Sequence, residues 1–122
     1  MVRFGFLAII LIWTSGSNAQ EVPKEAWVSQ MESGMSAFFC QEGQYFHECF
    51  NGTAAQCNET MTELVGGCLE RYEEQFPAAF KMPDDGAKWG QVIGSCAGSQ
   101  YDVVRRSDRI NSAKCNNPNE WM

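Results

Sequence analysis

Histidine is nearly missing from this sequence: His47 is the only one among 122 residues. A metal centre needs several His, Cys or carboxylate ligands at short spacing, and neither Cys-x-x-Cys nor His-Glu-x-x-His occurs. Basic residues are scarce too, 9 against 15 acidic. Nucleic acids and anionic membranes are bound through clustered cations, so neither is an expected partner. The one long apolar run, Phe4 to Trp13, falls short of the roughly 20 residues of an ordinary membrane span. There is no Gly-x-Ser-x-Gly elbow and no Gly-Lys-Ser/Thr phosphate loop, so the common hydrolase and nucleotide-binding signatures drop out. His47 lacks a partner that would orient it for catalysis and reads as a structural or surface residue. These absences lead to an expectation of no catalysis, no cofactor and no metal.

What the chain does have is cysteine. Cys40, Cys49, Cys57, Cys68, Cys96 and Cys115 form an even set in a short chain, downstream of a segment that reads as an export signal. Met1-Val2-Arg3 carries one positive charge, the apolar run follows, and Ser17-Asn18-Ala19 offers small residues for cleavage. Residues 1–19 are therefore expected to be a secretory signal peptide, and 20–122 one mature domain. Without Arg3 the mature chain carries 8 basic and 15 acidic residues, a net charge of −7. Six cysteines in an exported chain predict a disulfide framework with no free thiol, because oxidising compartments let thiols pair and small cores need the help. The expected location is the periplasm or the extracellular space.

Helical periodicity dominates the mature chain. From Pro23, the segment Lys24 to Phe39 places Trp27, Met31, Met35 and Phe38 on one stripe, with Gly43 as a stop. A short piece, Gln44 to Phe50, ends at the Asn51-Gly52 turn. A second long helix runs from about Thr53 to Gln75 and is stopped by Pro77. Cys57, Met61, Leu64 and Cys68 form its apolar face, and Glu59, Glu63, Glu70 and Glu74 its outer face. That acidic face reads first as a solvated surface and second as a steering surface for a basic partner. Asp84-Asp85 reads as the N-terminal cap of a third helix, Gly86 to about Arg105. No strand alternation is evident.

In the third helix Gly86, Gly90, Gly94 and Gly98 recur every fourth residue and share a face with Ala97 and Tyr101. Trp89, Val92, Ile93 and Cys96 occupy the neighbouring arc, leaving Lys88, Gln91, Ser95, Ser99 and Asp102 as a polar strip. Interior glycines cost a helix about 1 kcal/mol each relative to alanine, so a row of them calls for a close approach. Close packing within the protein is the favoured explanation, and a docking groove for a partner helix or peptide the functional one. Gly90, Gly94, Gly98, Trp89 and Tyr101 are the candidate binding residues on that second explanation.

Eight residues separate Cys40 from Cys49 and ten separate Cys57 from Cys68, flanking Asn51-Gly52 almost symmetrically. A hairpin there pairs Cys40 with Cys68 and Cys49 with Cys57, leaving Cys96 for Cys115. Asn51-Gly52-Thr53 and Asn58-Glu59-Thr60 match the glycosylation acceptor pattern.

The fold class that follows is all-α: a small disulfide-stapled domain of three to four helices with the glycine-rich helix at its centre. The expected function is non-catalytic binding to another macromolecule, as an assembly helper, inhibitor or immunity-type partner. The expected partner is a protein, and no membrane association remains after signal cleavage. One alternative is a carrier of a small apolar ligand, with Met31, Met35, Phe38, Phe39 and Trp89 lining its cavity. An enzyme of unfamiliar type is the other.

Overall fold

The structure is a computed structural model that describes residues 20–122, so the expected signal peptide, 1–19, lies outside the described residues. The element order is β1 (Glu21–Pro23), α1 (Lys24–Phe39), α2 (Tyr45–Glu48), α3 (Ala54–Tyr72), β2 (Ala79–Lys81) and α4 (Asp84–Val104). Single 3-10 turns occupy Glu73–Gln75, Arg106–Asp108 and Pro118–Trp121. The domain is all-α, as its periodicity predicts, apart from one small ribbon. There β1 pairs antiparallel with β2, and Val22 lies opposite Phe80. Strands of three residues are too short to show an alternation in sequence.

Local chemistry sets the helix ends. Pro23 precedes α1, and the first free N–H of that helix, at Lys24, is taken up by the Ala78 carbonyl at 3.0 Å. After α1 the chain turns at Gly43, whose φ of +86° favours glycine. The Gly43 N–H donates to Glu48 Oε1 at 2.7 Å, with His47 Nδ1 a further 3.3 Å contact of the same oxygen. The hydrogen bond from Gly43 and then the contact with His47 hold the Glu48 carboxyl below its ordinary pKa. Thr53 begins α3 with a reciprocal capping box: its hydroxyl accepts from the Gln56 N–H, and Gln56 Oε1 accepts from the Thr53 N–H. Asp84 and Asp85 belong to the first turn of α4 and do not cap it. Asp85 reaches back to accept from the Lys81 N–H at 2.8 Å, joining the ribbon to the helix.

α1, α3 and α4 run alternately up and down. Cys40, just past the end of α1, is bridged to Cys57 in the first turn of α3, and Trp27 near the start of α1 meets Phe76 beyond α3. α3 packs along both α1 and α4, which touch each other much less. The central position therefore belongs to α3, not to the glycine-rich α4. The reason lies in the disulfides and the heptad-like face of α3, where Cys57, Met61, Val65, Cys68 and Leu69 are all buried.

Aromatic residues close the two ends of the bundle. At one end Trp27 stacks on Phe80 with centroids 4.3 Å apart, and Phe76 sits edge-on to Trp27 and to Trp89. At the other, Tyr101 is edge-on to Phe46 and Phe50, each at 5.0 Å. Met61, Val65, Ile93 and Ala97, fully buried, fill the space between.

All six cysteines are paired, but the pairing corrects the expected one. The bridges are Cys40–Cys57, Cys49–Cys115 and Cys68–Cys96. In an antiparallel α1/α3 pair, Cys40 at the end of α1 faces the first turn of α3. Cys68 lies eleven residues further on, about 16 Å along the helix at 1.5 Å per residue, out of a disulfide's reach. It meets Cys96 on α4 instead. Cys49 ends α2 and anchors the C-terminal segment through Cys115.

Candidate functional site

Most of the glycine face is filled from within the chain. A Cβ at Gly94 would lie 3.3 Å from Phe39 Cζ, and one at Gly98 would lie 3.1 Å from Phe46 Cζ. Trp89 and Tyr101 belong to the two buried aromatic clusters. Gly90 alone among the five candidates keeps an open Cα, with nothing within 4 Å of a built Cβ. The residues considered for an apolar cavity are dispersed. Phe39 packs on Gly94 and Phe46, Trp89 on Phe76, and Phe38 is 53% exposed.

A groove of about 590 Å³ runs between α3 and α4 on the side away from the glycine row. From α3 it is lined by Arg71 and Tyr72, and from α4 by Lys88, Gln91, Val92, Ser95, Cys96 and Ser99. Four of the five residues of the polar strip predicted on the third helix, Lys88, Gln91, Ser95 and Ser99, thus form one wall of a groove, whereas Asp102 pairs with Tyr45 instead. Tyr72, Val92 and Cys96, which is bridged to the buried Cys68, give it an apolar floor, and the two cations stand without a carboxylate in the lining. The charged residues of this lining are both basic, whereas the full sequence carries a formal net charge of −6.

Nitrogen donors surround the bridge itself. Arg71 Nη1 lies 3.7 Å from Cys96 Sγ, and Gln100 Nε2 lies 3.5 Å from Cys96 Sγ and 3.7 Å from Cys68 Sγ. Neither Arg71 nor Gln100 stood out in the sequence. Spacing carries the signal that could have found them. Arg71 is three residues past Cys68 and Gln100 four past Cys96, so each shares a helix face with its cysteine.

A second constellation gathers at the C-terminal segment. Tyr45 Oη donates to Asp102 Oδ1 at 2.8 Å and accepts from Arg109 Nε at 2.9 Å. Arg109 also donates to the carbonyls of Ile110 and Cys115, and its guanidinium lies 5.3 Å from the Tyr45 ring centroid. Desolvation by burial, then the bond to Asp102, raises the Tyr45 pKa, with Arg109 opposing. Trp121 completes a cleft of about 420 Å³ there with Pro118 and Asn116. Tyr45 and Arg109 thus join α2 and α4 to the C-terminal segment, so the network works as a clasp. Among the described residues no cluster of three or more His, Cys, Asp or Glu is placed to hold a metal, and no buried side-chain polar atom lacks a hydrogen bond.

Residues 21–109 match the family model described as T2SS substrate NttA. The chain belongs to that family. It is therefore an exported protein, in keeping with its three disulfides. The matched span takes in the α3/α4 groove and both cysteines of the Cys68–Cys96 bridge, whereas Cys115 and Trp121 lie beyond it. No protein of curated function and no solved structure matches the chain.

Proposed function

We propose that this protein works outside the cell as a non-catalytic binding protein, and that residues 1–19 are the signal peptide that starts its export. Its partner is another protein, which presents a carboxylate-bearing segment to the α3/α4 groove. The observation that carries the reading is the groove's make-up: an apolar floor between Arg71 and Lys88, with no carboxylate among its lining residues. Apolar centres edged by charged and polar groups are the usual anatomy of protein-binding surfaces, and the two cations select the sign of the partner. Membership of a family of secretion substrates supports the extracellular location. Of the residues named from sequence, Gly90 is open but faces away from the groove, while Gly94, Gly98, Trp89 and Tyr101 support the fold that shapes it.

Photo-crosslinking tests this. A photoreactive residue at Ser95, in the groove wall, is expected to capture a discrete partner, and Val92→Glu is expected to abolish capture while the protein stays folded. Capture from position 63 on the acidic outer face of α3, with none from position 95, would move the binding surface to that face and end the groove reading.

A further inference from the structure

The three bridges have different surroundings. Cys40, Cys57, Cys49 and Cys115 are each at most 7% exposed. The sulfurs of Cys57 and Cys115 face carbonyl oxygens, Phe46 O at 3.6 Å and Glu48 O at 4.0 Å. A thiolate formed beside a carbonyl in a buried site is disfavoured by both. Cys68–Cys96 has the opposite setting. Cys96 is partly exposed on the groove floor, Cys68 is fully buried, and both sulfurs face nitrogen donors, one of them the Arg71 guanidinium.

We propose that Cys68–Cys96 is a thiol-exchange site for a small anionic thiol. The thiolate of a carboxylate-bearing thiol enters the groove with its carboxylates toward Arg71 and Lys88. Its sulfur attacks Cys96 Sγ, the exposed member; a new S–S bond forms there, and the Cys68–Cys96 bond breaks. Cys68 leaves as a thiolate, stabilised by the Gln100 N–H. A second thiolate then attacks the sulfur of the bound thiol. The free small-molecule disulfide departs, and Cys96 is released as a thiolate beside Arg71. Two molecules of small thiol are oxidised to one disulfide, and the protein bridge is reduced to two thiols. Leaving-group stabilisation and access to the attacked sulfur are the two factors that set such rates. The result is the selective loss of the covalent tie between α3 and α4, with Cys40–Cys57 and Cys49–Cys115 intact.

The experiment exposes the folded, oxidised protein to mercaptosuccinate, neutral 2-mercaptoethanol or cationic cysteamine at low salt. Rates are scaled to each thiol's rate with a small model disulfide. Acid quenching, alkylation and peptide mapping follow. Cys68 and Cys96 are expected to become labelled at least about tenfold faster than the other four cysteines, with the mixed disulfide found on Cys96. The scaled rate should be about tenfold higher for the anionic thiol than for the cationic one, and Arg71→Gln or Lys88→Gln should shrink that ratio several-fold. Both changes are on exposed side chains, and circular dichroism checks that each variant is folded. Simultaneous loss of all three bridges, another bridge opening first, a mixed disulfide on Cys68, or rates indifferent to thiol charge would each overturn the proposal.

Discussion

At position 94 a side chain meets the edge of Phe39, and at position 90, one helical turn earlier, it meets nothing within 4 Å. Adding a side chain is therefore expected to act in opposite directions at these two glycines. Gly94→Leu should overpack the α1/α4 contact and destabilise the fold by about 1–3 kcal/mol. Gly90→Ala should raise stability by about 0.4–1 kcal/mol, since it restricts the unfolded chain without a clash. Thermal melts of the two variants beside wild type read both signs, and a stabilising Gly94→Leu would show that Phe39 yields freely. Thr53 offers a third measurement. Thr53→Ala removes the hydroxyl half of a capping box and should cost about 1 kcal/mol by denaturant titration. The row of glycines was legible as a row because its spacing repeats the helix. What fills it was not, since Phe39 and Phe46 reach it from α1 and α2, more than fifty residues away in the chain.

Among the elements, α3 and the C-terminal segment show where spacing informs and where it misleads. The face of α3 and its start at Thr53 follow from local pattern and capping chemistry. The symmetry of the cysteine gaps about Asn51-Gly52 pointed to one simple hairpin. That symmetry ignored α2, which inserts a turn of helix and aims Cys49 at the segment beyond α4. Hydrogen bonds from Asn51 N–H to Asp108 O and from Ile110 N–H to Cys49 O, both 2.8 Å, fasten the same junction. Replacing Cys49 and Cys115 together by alanine should therefore loosen residues 110–122 first, at a cost of about 2–4 kcal/mol to the whole domain. Hydrogen exchange should show protection falling at Ile110 and Asn116 before it falls in α3. Uniform loss across all helices would mean that the segment is integral to the core.

For the molecule as a whole, the response to pH follows from three groups. Burial raises the Tyr45 and Tyr101 pKa values above the ordinary tyrosine range. A raised folded pKa contributes stability that is complete below the unfolded value, about 10, and is lost as pH rises through the folded value. Stability should thus decline on the alkaline side above pH ~10, and Tyr45→Phe should soften that decline, which a series of melts from neutral pH upward would detect. Glu48 works at the acid end. Its lowered pKa means that its contribution is present above the ordinary glutamate value and fades as pH falls through the folded one. An unchanged alkaline limb in Tyr45→Phe would leave Tyr101 as the main titrating group there.

Export, a fully paired cysteine set, one helical domain and the course of its long helices to within a turn follow from the sequence alone. Each rests on short-range pattern: an apolar run before small residues, an even cysteine count, and apolar positions repeating at the helical period. The antiparallel packing of α1 and α4 on α3 decided which cysteines meet. It also turned four of the five residues of a polar strip, Lys88, Gln91, Ser95 and Ser99, into the wall of a groove by setting Arg71 and Tyr72 opposite. Position along a helix is written in periodicity, but the neighbour across the interface depends on helix order and direction. Those are fixed by burial summed over the whole core, where Trp27, Met61, Val65, Ile93 and Tyr101 must all leave water together.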